Sequence, residues 1–90
     1  MSDADEVLTE RGKTHGKFDQ HARLTQNLKR VCEMSPNWMD KINDSHRESI
    51  HMICHKLGRI LAGNPNHADH WVDIAGYAQL VANELTNPKG

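Results

Sequence analysis

A chain of 90 residues has room for one domain, and a net charge of −1 with histidines neutral gives no general pull toward nucleic acid or an anionic membrane. The hydrophobic fraction is 37% and no apolar run approaches the roughly 18–20 residues that span a bilayer. The acidic start Met1-Ser2-Asp3-Ala4-Asp5-Glu6 lacks the basic and apolar segments of a secretory signal, so the expected setting is the cytoplasm.

The reading is all-α, a helical bundle in a single domain over 1–90. Ser2 or Asp3 can cap a short first helix through Arg11, with Gly12 as its stop, so the helix spans 1–12 and Lys13–Lys17 is a loop. A second helix is expected over 19–34, with Leu24, Leu28, Val31 and Cys32 as its apolar stripe. Ser35-Pro36 starts a short helical turn that Trp38 and Met39 anchor. A long helix follows over 45–62, with Ser45 and Glu48 fitting a capping box and Gly63 as its stop. After Asn64-Pro65-Asn66, a last helix runs over 67–85, and Pro88 lies beyond it. So short a connection predicts an antiparallel hairpin of the two long helices. A chain this small has a marginal core, which oligomerisation would complete.

On helical wheels, Ile50, Ile53, Cys54, Leu57, Ile60 and Leu61 form the apolar face of the 45–62 helix, with Glu48, Met52, His55 and Arg59 opposite. On the 67–85 helix, Trp71, Ile74, Ala75, Ala78, Val81, Ala82 and Leu85 form the apolar face, with Asp69, Asp73, Gly76 and Leu80 opposite. Chargeable groups beside Met52, Leu80 and a mid-helix glycine suit a ligand cleft or a subunit interface. Gly76 is the expected point of close approach. A homo-oligomer formed through the Met52, Gly76 and Leu80 face is the corresponding expectation.

Asp69 and Asp73 stand one turn apart on one helix face, a spacing that can hold Mg²⁺. The plainer reading is dipole stabilisation by Asp69 and an ion pair of Asp73 with Lys56 or Arg59. Lys56 and Arg59 are candidates for phosphate oxygens. Within one antiparallel hairpin, Glu48 falls far from Asp69, and His55 and Arg59 are its nearer neighbours. The seven histidines include His51-x-x-x-His55, more simply solvated or hydrogen-bonded than zinc-binding, and Cys32 and Cys54 read as buried thiols.

Several strings carry a resemblance: Thr14-His15-Gly16, Thr25-Gln26, His55-Lys56-Leu57-Gly58-Arg59-Ile60-Leu61, and Asp69-His70-Trp71-Val72-Asp73-Ile74-Ala75-Gly76-Tyr77. Over roughly 8–85 the chain resembles a family of short phage and prophage proteins of unknown function. That family is in turn similar to the MazG-like all-α nucleotide pyrophosphohydrolases, which are oligomeric helical bundles that use Mg²⁺. The resemblance implies a nucleotide or related phosphate compound as ligand, with Asp69 and Asp73 holding Mg²⁺. It implies His55 or Glu48 as the group acting on water, and Lys56, Arg59, His15 and Tyr77 as substrate-binding. One departure is plain: where an ExxE pair belongs, Glu48 is followed by His51. Pyrophosphohydrolysis thus has an alternative, a non-catalytic protein that sequesters a nucleotide signal or engages a host partner.

Overall fold

The computed structural model describes residues 3–87, and their regular structure is entirely helical: α1 (Asp3–His15), α2 (Phe18–Glu33), α3 (Pro36–Asp40), α4 (Asp44–Ala62) and α5 (Ala68–Thr86). Ser2 and Pro88, expected as a cap and a terminator, lie outside the described residues.

Local chemistry accounts for the boundaries, in two places against expectation. α1 has acidic residues in its first turn and Lys13 and His15 in its last, as the helix dipole favours. It runs through Gly12, which has open space around it, and stops at Gly16. Gly16 has φ 82°, and a Cβ there would collide with the backbone of Ala62. A glycine ends a helix only where the chain must turn left-handed or press against a neighbour, and Gly16 meets both conditions. Ser35 caps α3, its hydroxyl accepting from the Asn37 N–H at 3.2 Å. The cap of α4 is Asn43 rather than Ser45: Asn43 Oδ1 accepts from the His46 N–H at 3.0 Å, and the Asn43 N–H donates to His46 Nδ1 at 3.2 Å. Ser45 instead donates to Glu84 Oε1 at 3.0 Å, which leaves Glu48 exposed and outside the cap.

α4 is the middle of a three-helix layer, with α2 on one flank and α5 on the other. On the α2 side, Glu33 approaches His51, Cys32 meets Cys54, and His21 and Thr25 lie against Gly58. On the α5 side, Ser45 meets Glu84, Ser49 donates to the Tyr77 carbonyl, and Lys56 pairs with Asp73. Residue numbers fall along both flanking helices as they rise along α4, so α2 and α5 each run opposite to it. α3 packs on α2, and Arg47 of α4 donates from Nη2 to the Trp38 carbonyl at 2.7 Å.

The interior of this layer is polar. Its buried apolar residues are Trp38, Cys54 and Ile60, while His21, Thr25, Ser49, Lys56 and His70 are buried as well. The apolar face expected to bury α5 does not do so: Trp71 is 52% and Leu85 63% exposed, and Ala75, Ala78 and Ala82 are exposed too. His70 is buried and Asp73, Ile74, Tyr77 and Val81 are half-buried, the set that α5 turns toward α4. Likewise Leu61 of α4 is 62% exposed. The rest of the apolar face expected on α4 is covered, with Cys54 and Ile60 buried and Ile50, Ile53 and Leu57 half-buried, so the departure lies in α5, which joins α4 partly through polar groups.

The close approach expected at Gly76 occurs at Gly58. No atom comes within 4 Å of a Cβ built on Gly76, whereas one on Gly58 would overlap Thr25 Oγ1 and reach His21 Nδ1 at 2.9 Å. Gly58→Ala should therefore force α2 off α4 and lose about 1–3 kcal/mol. Gly76→Ala should gain up to about 1 kcal/mol from helix propensity. Urea unfolding of the two variants checks the contrast, and equal effects would refute it.

Cys32 and Cys54 are free thiols with their sulfurs 3.7 Å apart. Burial, then the Cys32 hydrogen bond, pushes the Cys54 thiol up to about 11. At pH 8 almost none of it is thiolate, the reactive form. Cys54 should react with a thiol reagent at least about 100-fold more slowly than an unfolded cysteine, and Cys32, half-buried, faster than Cys54. Mass-resolved labelling gives both rates; rapid modification of Cys54 in the native state would contradict this packing.

Candidate functional site

The histidine-rich end of the layer is assembled from four helices. Gly16 lets the α1–α2 junction lie against the C-terminal end of α4, and the short turn after Gly63 brings the start of α5 to the same place. One backbone atom ties the parts together. The Thr14 carbonyl accepts from the Asn64 N–H at 2.9 Å and from His70 Nε2 at 3.0 Å. A carbonyl only accepts, so His70 Nε2 carries a proton. His70 is 2% exposed, and the rings of His15 and His67 lie 5.3 and 4.7 Å from its own.

Lys56 is 9% exposed and donates to Asp73 Oδ2 at 2.9 Å. This is the ion pair expected on the plainer reading of Asp73. The Lys56 hydrogen bond and charge hold the Asp73 carboxyl below its ordinary value. Asp69 is 82% exposed at the side chain, 3.6 Å from His67 Nε2. One turn further along α4 from Lys56, Arg59 is half-buried. Burial and then the charge of Arg11 disfavour its cation, opposed by Asp73. Arg59 makes no hydrogen bond to any acceptor among the described residues; its relation to Asp73 is proximity of charge alone.

Arg59 shapes the histidines around it. His15 is pushed down to about 4 by burial and then by Arg59. His55, whose ring packs edge-on against His21 at 4.6 Å, is pushed down to about 4 by the same two causes in the same order. His21 is lowered as well, chiefly by burial. The centre thus holds Lys56, Arg59 and Arg11 as cations, with neutral imidazoles between them and Asp73 bound to Lys56.

Two of the expected site residues lie elsewhere. Glu48 and Tyr77 line an open groove of about 860 Å³ with Asp44, Ser45, Leu80 and Glu84, toward the C-terminal end of α5. Tyr77 and Asp69 are eight residues apart, about 12 Å along a helix. The structure therefore brings together His15, His55, Lys56, Arg59 and Asp73, leaves Asp69 at the rim, and sets Glu48, together with Tyr77 one turn beyond Asp73, in the neighbouring groove. His51 and His55 do not share a site either: His51 stacks near Trp38 at 5.0 Å, and His55 meets His21.

Against known proteins, the model of a domain of unknown function, DUF6378, matches residues 1–85. The chain belongs to that family. No curated protein and no solved structure matches it.

The donor set of this DUF6378 domain does not fit Mg²⁺ within one chain. Asp73 is engaged by Lys56, Asp69 is exposed with its oxygen 3.6 Å from His67 Nε2, and the remaining candidate carboxylate, Glu48, is in the groove toward the C-terminal end of α5. No group of three or more His, Cys, Asp or Glu among the described residues is arranged to hold a metal. What the centre offers instead is the Arg59 guanidinium, without a hydrogen-bonded acceptor among the described residues. Sequence reasoning missed Arg11 and gave His70 little weight. The available signal for His70 was its register: it falls three residues before Asp73, and so on the same face of α5.

Proposed function

We propose that this domain binds a nucleotide or a related phosphate compound at the end of the layer where Arg59, Lys56, Arg11 and His15 converge. The observation that carries the reading is Arg59: a half-buried guanidinium, repelled by Arg11 and without a hydrogen-bonded acceptor. A guanidinium offers five N–H groups in a fork that matches phosphate oxygens. Neutral His15 and His55 add neither repulsion nor a competing negative charge, and His15 can donate or accept at the ligand's edge.

The supported form is binding without turnover, because the Asp73 carboxylate is paired with Lys56 and the neighbouring Asp69 is exposed at the rim. This matches the departure at His51 from the pattern of the MazG-like pyrophosphohydrolases. In this reading the protein is a phage-type nucleotide-sequestering module of the host cytoplasm and works as a homo-oligomer. Among the described residues no helix is long and apolar enough to cross a membrane.

Thermal-shift and calorimetric titration with inorganic pyrophosphate and a panel of nucleoside mono-, di- and triphosphates, with and without Mg²⁺, tests the proposal. Expected is stabilisation by phosphorylated members, none by the parent nucleosides, and no requirement for Mg²⁺. Failure of every phosphate compound to raise the melting temperature overturns the binding reading. Release of pyrophosphate or phosphate with Mg²⁺ would restore hydrolysis as the activity.

A further inference from the structure

The three long helices form a single layer, and domains bury their apolar surface between two. Successive helical residues turn by about 100°. With α2 and α5 both running opposite to α4, this rotation places Leu24, Val31, Leu57, Leu61, Ala78 and Leu85 on one side of the layer. It places His55, Arg59, Asp69, Gly76 and Leu80 on the other. α1 lies on the second side, since Arg11 and His15 act on Arg59. The first side carries no Asp, Glu, Lys or Arg of the three helices at its centre, and of its residues Leu24 and Leu57 are half-buried while Val31, Leu61, Ala78 and Leu85 are exposed. Val31 is 66%, Leu61 62% and Leu85 63% exposed there.

We infer that a second copy of this chain covers that face, so that two layers pack apolar side to apolar side and leave the Arg59 site of each copy facing outward. The choice of a second copy rests on three observations. The first is area. The chain exposes 6555 Å², against about 5,300 Å² for a folded monomer of this mass. The excess of about 1,200 Å² includes α1, which buries none of its residues, so the apolar face supplies part of it, set against the roughly 800 Å² that each partner contributes to a stable interface. The second is extension: the radius of gyration is 15.3 Å, against about 12 Å for a compact domain of this length.

The third is self-complementarity. Trp71, Ala75, Ala78, Ala82 and Leu85 recur on α5 at alternating steps of four and three, the spacing of a helix–helix seam. Trp71 and Leu85 stand seven residues either side of Ala78, with small residues between them. An antiparallel copy of α5 crossing at Ala78 sets Trp71 against Leu85 of its twin and Ala78 against Ala78, as a two-fold interface requires. This proposal makes specific the homo-oligomer assumed above and is independent of the ligand. It replaces the Met52, Gly76 and Leu80 face expected from the sequence with the opposite one.

Ala78 and Leu80 are both exposed on α5 and lie on opposite sides of the layer, so Ala78→Glu and Leu80→Glu form a matched pair. By light scattering, the parent and Leu80→Glu are expected at twice the 10.2 kDa chain mass and Ala78→Glu at the chain mass. Should Ala78→Glu fail to fold, acrylamide quenching of the parent decides. Trp38 is buried and Trp71 is 52% exposed in the isolated chain, so quenching reports Trp71. It is expected to be weak at high concentration and to rise on dilution into monomer. A monomeric parent overturns both the homo-oligomer and this interface. A parent dimer broken by Leu80→Glu but not by Ala78→Glu, or one in which Trp71 stays freely quenched, overturns this interface alone. Neither result bears on phosphate binding.

Discussion

Replacing Arg59 by alanine is expected to weaken binding of a phosphate compound by about 10- to 150-fold and to leave the melting temperature of the free protein unchanged or slightly higher. The first half follows from charge-assisted hydrogen bonds, each contributing about 1.5–3 kcal/mol. The second follows from the absence of any hydrogen bond from the Arg59 guanidinium among the described residues, and from its repulsion by Arg11. A structural arginine would behave in the opposite way, because its removal would strand buried acceptors. Arg59→Lys should fall between, keeping the charge and losing the bidentate fork. Calorimetric titration of pyrophosphate into the three proteins makes the comparison. Equal affinity in all three would remove the phosphate reading.

Acid should destabilise the fold well before its carboxylates titrate. His15 and His55 are held at about 4, against 6.5 when unfolded. Between those values the unfolded chain binds more protons than the folded one, so stability falls as pH falls through that window. The contribution is fully present above about pH 6.5. Both rings keep some contact with solvent, which screens the interaction, so the pair is worth roughly 2–4 kcal/mol. His21 adds in the same direction. Asp73 has a lowered value, so its contribution is also lost on acidification, but only below the ordinary carboxylate range. Urea midpoints at pH 7.5 and 4.5 measure the sum. A double His15→Gln, His55→Gln variant should flatten the dependence, and so, in part, should Arg59→Ala, which removes the second cause at both rings. A midpoint unchanged between the two pH values would contradict the burial of these histidines.

Helices were the legible part of this sequence, and their partners were not. Hydrophobic spacing located α2, α4 and α5, and Ser35-Pro36 located α3, because each signal acts within a few residues. Glycines were harder, since a glycine is required by what it touches. Gly12 and Gly76 touch nothing, while Gly16 and Gly58 are pressed against the end of α4 and against α2. The expected apolar face of α4 is largely covered by the chain, whereas on α5 Trp71, Ala75, Ala78, Ala82 and Leu85 are exposed and only Ile74 and Val81 of that face are half-buried. α4 and α5 join through Lys56–Asp73 and Ser49–Tyr77, contacts that depend on a neighbour's rotation about its axis. Of the site, Lys56 and Arg59 were legible as phosphate candidates from the residues themselves, and His15 from the resemblance. Arg11 was not, because only the turn at Gly16 brings α1 to α4. Glu48 and Tyr77 came from the resemblance, and the antiparallel hairpin already set Glu48 far from Asp69.

The attachment of α1 has a consequence for how ligand reaches Arg59. α1 buries no residue and is fastened chiefly where the Thr14 carbonyl meets His70 and Asn64. Helices held by so little apolar contact open as separate units far more often than the molecule unfolds. Amide hydrogens of residues 7–13 should exchange by such a local opening, much faster than those of α4. Each opening swings Arg11 and His15 away and uncovers the guanidinium behind them. A bound phosphate gripped by groups on both sides would hold the helix shut, so protection of α1 amides would report occupancy of the site.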